Sequence, residues 1–321
     1  MGFLDPLLGL SENIVYQSAV LLVAFVIGLV LLVKGSDVFI EGAASIAKKH
    51  GISEHTIGLT LVAFATSIPE LAVSAFASYN GKSDIAVGNV VGSNMANMGL
   101  VLGVSIIIMA MQTSKTVIKN TVWMLGVTGL LFLFILTGQE LTRLEGGIFL
   151  LVYLAFMYYI FSYTEEVDVG DTINELDANE FVYMGAGVLG VVLGANFLID
   201  SAVEMATRVG ISELVIGLTI VSIGTSLPEL ASSVTAAKKG KHGISIGNVI
   251  GSNIINISLV LGVSAVISPI HVDGKVAFNT MPYLLVVSGL MLFFVRKNLK
   301  KYEGVLLLII YVAFLALMVA L

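Results

Sequence analysis

The chain reads TSIPELA at Thr66–Ala72 and GNVVGSNMAN at Gly88–Asn97. It then reads TSLPELA at Thr225–Ala231 and GNVIGSNIIN at Gly247–Asn256. The copies lie 159 residues apart. In that register Gly51–Gly103 and Gly210–Gly262 share 31 identities in 53 positions without a gap. The chain is therefore an internal duplication. Each copy sets a Pro and a Glu side by side inside an apolar run. A proline within a helix removes one N–H and frees a carbonyl about four residues earlier. Those carbonyls are expected near Ala65–Thr66 and Gly224–Thr225.

The surroundings of the motifs are those of a membrane. Of the 321 residues, 57% are apolar and 12% are charged, about half the charged share of an average soluble domain. Mean hydropathy is +0.99. The absence of Cys excludes a disulfide-stapled secreted domain. A net charge of −6 without a basic stripe argues against a nucleic-acid partner. The apolar runs are continuous rather than alternating, which excludes a transmembrane barrel.

A spanning helix needs roughly 20 apolar residues. Ten segments qualify, near 16–47, 56–79, 85–111, 117–137, 144–163, 179–206, 214–236, 244–268, 276–296 and 302–320. The fold expected is an all-α integral membrane protein of ten helices in two five-helix repeats, with helices two and seven interrupted. Five is odd, so the second repeat is inverted, the arrangement of secondary transporters. The repeats are expected over 1–163 and 179–321, joined by an acidic cytoplasmic linker over 164–178. That stretch, with Glu165, Glu166, Asp168, Asp171, Glu175 and Asp177, matches no calcium loop and reads as a solvated connection. The stretch Met1–Gln17 lacks a basic start and a cleavage site, so it is expected to stay in the mature protein. Eleven Lys and Arg fall in the loops after odd-numbered spans and four in the others. The positive-inside rule then places both termini outside a plasma membrane.

Glu70 lies 14 residues after Thr56 and 9 before Tyr79, about 21 and 14 Å from the span's ends. Glu229 occupies the same place in its copy. A carboxylate at that depth costs about 2.5–3.5 kcal/mol and is rarely retained without function. No Lys or Arg in the surrounding spans is placed to pair with either. Ala63, Thr66, Ser67 and Glu70 share one helix face, as do Ser222, Thr225, Ser226 and Glu229. These faces offer carboxylate, hydroxyl and carbonyl oxygens, the donors of Na+, Ca2+ or Mg2+ rather than of Zn2+ or Cu+. In the next spans Ser93 and Asn97, and Ser252 and Asn256, recur every four residues and are read as ion contacts. Asn89 and Asn248 fit helix-packing hydrogen bonds and ion contact equally well. Asp37, Glu41, Asp200 and Glu204 read as interfacial, Trp123 as part of an aromatic belt, and all four His as solvated loop residues. Nothing pairs a nucleophile with a base, so no enzyme is expected. No cofactor, nucleic acid or obligate protein partner is expected either.

At these motifs the sequence resembles the alpha-repeats of the calcium/cation antiporter superfamily. It is most similar to the sodium/calcium exchanger branch and its short prokaryotic members, over essentially the whole chain. The resemblance implies Na+/Ca2+ exchange by alternating access, with the ions as substrates, and Glu70 and Glu229 as shared calcium carboxylates. It implies side-chain and backbone oxygens from Thr66 and Thr225. It also implies flanking sodium sites at Ser67, Ser226, Ser93 and Ser252 with the carbonyls of Ala63 and Ser222, and Asn97 and Asn256 beside the centre. Two positions depart from the pattern: Ala65 replaces a Gly, and Asn256 stands where many exchangers carry Asp. A proton- or potassium-coupled exchanger is the alternative. The proton-coupled branch resembles G-N-x-x-E, where this chain has Gly92 and Gly251.

Overall fold

A computed structural model describes residues 14–49, 51–162, 178–208, 222–274 and 276–320. The linker expected at 164–178 lies almost wholly outside them, as do His50, Lys275 and the first part of span seven. Nearly everything described is helix. α1 spans Ile14–Lys49, α2 Glu54–Thr66, α3 Ile68–Tyr79, α4 Ser83–Ile108, α5 Lys115–Gly138 and α6 Arg143–Ser162. α7 spans Ala178–Arg208, α8 Ser222–Thr225, α9 Leu227–Lys238, α10 His242–Ile267, α11 Val276–Phe294 and α12 Lys301–Ala320. Among the described residues, seven helices are long and apolar enough to cross a membrane, and the bent α2–α3 pair makes an eighth. The chain is thus a helical membrane protein.

The motif helices form the centre. In α4 and α10, 78% of the most apolar window is buried, against 22–39% in the other helices that pass as single spans. Outer faces carry Leu151, Val286 and Val312, each more than 60% exposed, as lipid-facing side chains are. The centre is packed backbone to backbone. A Cβ added at Gly251 of α10 would collide with the Leu59 carbonyl oxygen of α2 and stand 2.6 Å from Ala63 Cβ. Only glycine lets these helices approach so closely. The long helices α1 and α7 meet in the same way, with Gly194 against Leu32.

The interruption at the prolines is a break rather than a bend within one helix. α2 and α3 differ in direction by 46°. The hinge is Ser67 at φ −84°, ψ 5°, and its counterpart between α8 and α9 is Ser226 at φ −87°, ψ 5°. Pro69 and Pro228 therefore occupy the first turn of α3 and α9, where a missing N–H costs nothing.

Two short strand pairings close the bundle at opposite ends of α5. β1 (Glu140–Leu141) pairs antiparallel with β2 (Ile270–His271), and Met111 bridges Leu299. His55 corrects the loop reading. It lies in α2, 7% exposed, with its Nε2 3.0 Å from Asn120 Nδ2 of α5. Trp123, read as part of an aromatic belt, packs with its ring 5.7 Å from Phe156 and 5.6 Å from Tyr159.

Replacing Gly251 by Ala is expected to destabilise the protein by about 1–3 kcal/mol, the usual cost of overpacking. Gly126→Ala, where an added Cβ meets nothing within 4 Å among the described residues, serves as control. Thermal unfolding of both variants in detergent checks this.

Candidate functional site

The break puts each acid at a helix start. Glu70 falls in the first turn of α3 and Glu229 in the first turn of α9. The positive end of a helix dipole stabilises a carboxylate there. Both acids are fully buried. Among the described residues, the salt bridges join other acids: Glu204 to Arg208 at 2.9 Å, Glu41 and Asp37 to Lys239 at 2.7 and 3.5 Å, and Glu54 to Lys241 at 2.7 Å. All of these are partly exposed.

The hydroxyls at the two breaks, on Thr66, Ser67 and Thr225, reach into the other copy. Ser67, in the first break, donates to Glu229 Oε1 at 3.3 Å. Ser252 of α10 approaches the same oxygen at 3.5 Å. Thr66 donates across to Asn248 Oδ1 at 3.2 Å, and Thr225 to Asn89 Oδ1 at 3.2 Å. Ser93 lies 3.4 Å from Thr225 Oγ1. Asn89 and Asn248 are thus held as packing residues. Asn89 Nδ2 donates to Ser74 Oγ at 2.9 Å and to the Glu70 carbonyl at 3.3 Å. Asn248 does the same with Ser233 at 2.9 Å and the Glu229 carbonyl at 3.4 Å. Ser74 and Ser233 escaped the sequence reading. Their position four residues after each Glu was the available signal.

Other predicted residues fall as follows. The Ala63 carbonyl accepts from the Ser67 N–H at 3.0 Å and from Thr66 Oγ1 at 3.3 Å, so it is engaged within the helix. Ser222 opens α8. Ser226 Oγ is buried without a partner. Asn97 and Asn256 each open a wide π turn, a distortion frequent at functional sites. Asn256 Nδ2 donates to Asn94 Oδ1 at 3.1 Å. Both amide atoms of Asn97, both oxygens of Glu70 and Oε2 of Glu229 are buried without a hydrogen bond.

Buried polar groups are rarely left unpaired, and buried charges are paired or bind cations. Two carboxylates at helix starts, with hydroxyl and amide oxygens around them and no basic partner among the described residues, offer the donors that a hard cation takes. The donor set suits an alkali or alkaline-earth ion. Glu70→Gln and Glu229→Gln keep the side-chain shape and remove one charge each. Each is expected to weaken Ca2+ binding by on the order of a hundredfold, measured by titration calorimetry on the purified protein. Glu204→Gln is expected to bind as before.

Comparisons with known proteins agree with this chemistry. Residues 20–162 and 179–320 match the family "Sodium/calcium exchanger protein". The chain is 36% identical to the sodium/calcium exchanger MaX1 of Methanosarcina acetivorans, covering 91% of this chain and 96% of that one. It is 36% identical to the putative antiporter CaxA of Alkalimonas amylolytica, covering 90% and 95%. Among solved structures, the sodium-calcium exchanger NCX_Mj soaked with Na+ and Ca2+ superposes with a TM-score of 0.84. That match has 32% identity and covers 92% of this chain and 97% of the other.

Proposed function

The chain belongs to the sodium/calcium exchanger protein family, and we propose that it exchanges Na+ for Ca2+ across the membrane through the Glu70–Glu229 site. The observation that carries this reading is the pair of buried carboxylates, with no basic partner among the described residues, at the start of two broken helices. One dehydrated Ca2+ neutralises both. The same oxygens, with the hydroxyls of Thr66, Ser67, Ser93, Thr225, Ser226 and Ser252, supply small sites for Na+ in its place. Asn97 and Asn256 add neutral amide oxygens beside the centre. The carbonyls of Ala63 and Ser222 belong to the flanking sodium sites of this reading. Competition for shared carboxylates is what makes the process exchange: one load leaves as the other is admitted.

The full architecture proposed is ten spans in two inverted five-helix repeats, 1–163 and 179–321. The gapless duplication supports it, as does the recurrence of the strand pairing at the two ends of α5. The family match resumes at 179 after ending at 162, which supports a separate linker over 164–178. The excess of Lys and Arg in one set of loops supports external termini and a plasma-membrane location. Gly92 and Gly251 in place of Glu favour sodium over proton coupling.

The test is Ca2+ uptake into proteoliposomes under imposed gradients. Outward Na+ gradients are expected to drive uptake, and K+ or H+ gradients alone are not. Uptake driven by H+ or K+ in the absence of Na+ would replace this reading with the alternative coupling. Deleting Glu165–Asp177 is expected to leave the rate and the half-saturating Ca2+ concentration nearly unchanged in the same assay. A large shift in that concentration would make the linker regulatory.

A further inference from the structure

The duplication gives every contact at the site a counterpart 159 residues away, and the two sets are unequal. Three contacts occur in both copies. They are Thr66 to Asn248 with Thr225 to Asn89 (both 3.2 Å), the Asn248–Ser233 and Asn89–Ser74 bonds (both 2.9 Å), and the asparagine bonds to the Glu229 and Glu70 carbonyls. Other contacts occur once. Ser67 donates to Glu229 and Asn256 donates to Asn94, whereas Ser93 approaches Thr225 on the Glu70 side alone. The counterparts of the first two are Ser226 to Glu70 and Asn97 to Asn253. Both Glu70 oxygens, Ser226 Oγ, both Asn97 amide atoms and Asn253 Oδ1 are instead buried without a partner. The outer bonds form a symmetric frame, while the Ser67–Glu229 and Asn256–Asn94 bonds are each made without their counterpart.

A cation can satisfy the Glu70 oxygens and Asn97 Oδ1. It cannot satisfy Asn97 Nδ2, which is a donor. The acceptor that the repeat provides for that donor is Asn253 Oδ1, itself unpartnered. Asn253 Nδ2 meanwhile donates back to Val249 O at 2.8 Å, whereas Asn94 Nδ2 reaches across to Asn253 O at 3.2 Å. Asn94 and Asn253 each follow a site serine by one residue, about 100° round the helix from it.

We propose that Asn94 and Asn253 are positioning residues that form a reciprocal latch: Asn94 holds Asn256 in the conformation described here, and Asn253 takes Asn97 in the opposite-facing one. The inference rests on the exchange reading, because alternating access supplies the second conformation. In the second state the Ser226–Glu70 and Asn97–Asn253 bonds are made, and the Ser67–Glu229 and Asn256–Asn94 bonds are released. Each half-site is held by protein groups in turn, and the symmetric frame stays in place. The latch weights the two states without touching the ions.

The test uses Asn94→Ser and Asn253→Ser, whose side chains are too short to span the bonds, and the double variant. Each is reconstituted in one orientation, and the apparent KM for Ca2+ is measured at each membrane face. The ratio of the two KM values is expected to move about fivefold in opposite directions in the single variants, the shift worth one neutral hydrogen bond. The double variant is expected to return near the wild-type ratio. A merely structural role would slow transport at both faces and leave the ratio unmoved. An unchanged ratio, or shifts in the same direction, would overturn the proposal. Asn94→Thr and Asn253→Thr, uncharged and also too short to span the bonds, carry the test if a Ser variant does not fold. Each is expected to move the ratio in the direction of its Ser variant, and an unmoved ratio would overturn the proposal. Wild-type protein that does not exchange Na+ for Ca2+ would refute the exchange reading instead, before any ratio is measured.

Discussion

Two carboxylates sealed from water, with no Lys or Arg beside them among the described residues, set the terms for the rest of the molecule. An isolated ion in a medium of low dielectric costs several kcal/mol even after relaxation. The protein offsets part of that cost with structure alone. Pro69 and Pro228 stop the helix at Ser67 and Ser226 and restart it, so that Glu70 and Glu229 meet the positive end of a new helix. The broken backbone then needs shelter from lipid, because a lipid-exposed break would leave polar groups unsatisfied. α4 and α10 provide it, which is why they are the most buried helices. Gly251 follows from the same need, since α10 must touch the broken helix backbone to backbone.

Charge and geometry divide the labour at the site. The asparagines at 89 and 248 fix where the broken helices lie, through bonds that recur in both copies. The acids and hydroxyls supply the charge and lone pairs that a cation needs. The carboxylates stay short of protein partners, and that incompleteness is functional. A fully satisfied buried acid would have nothing left to offer an ion.

Much of this was legible in the sequence. The spans are long and apolar, and their ends agree with the helices to within a few residues wherever both are described. The acids stood out because an unpaired Glu inside an apolar run has few structural uses. What stayed hidden depends on which helix lies beside which. Ser67 sits one turn from Glu70 in sequence, yet it serves Glu229, 162 residues away. A periodic face tells which side chains point together, and not whose carboxylate they reach. The same limit explains His55. In the polar stretch GISEHT it resembles a loop residue, and its partner Asn120 is 65 residues further on. Ser74 and Ser233 look like helix filler until the asparagines opposite them are in place.

The crossing bonds also bear on how the chain is made. Thr66, Ser67 and Asn94 find their partners at Asn248, Glu229 and Asn253. When the first half has left the ribosome, none of those partners exists. α2 and α3 are then two short helices with an acid at the break between them, which is costly to insert into lipid unaccompanied. Their final place is secured only once α9 and α10 have been synthesised. The two copies descend from one sequence, yet neither completes the site by itself. Each copy is completed only by the other.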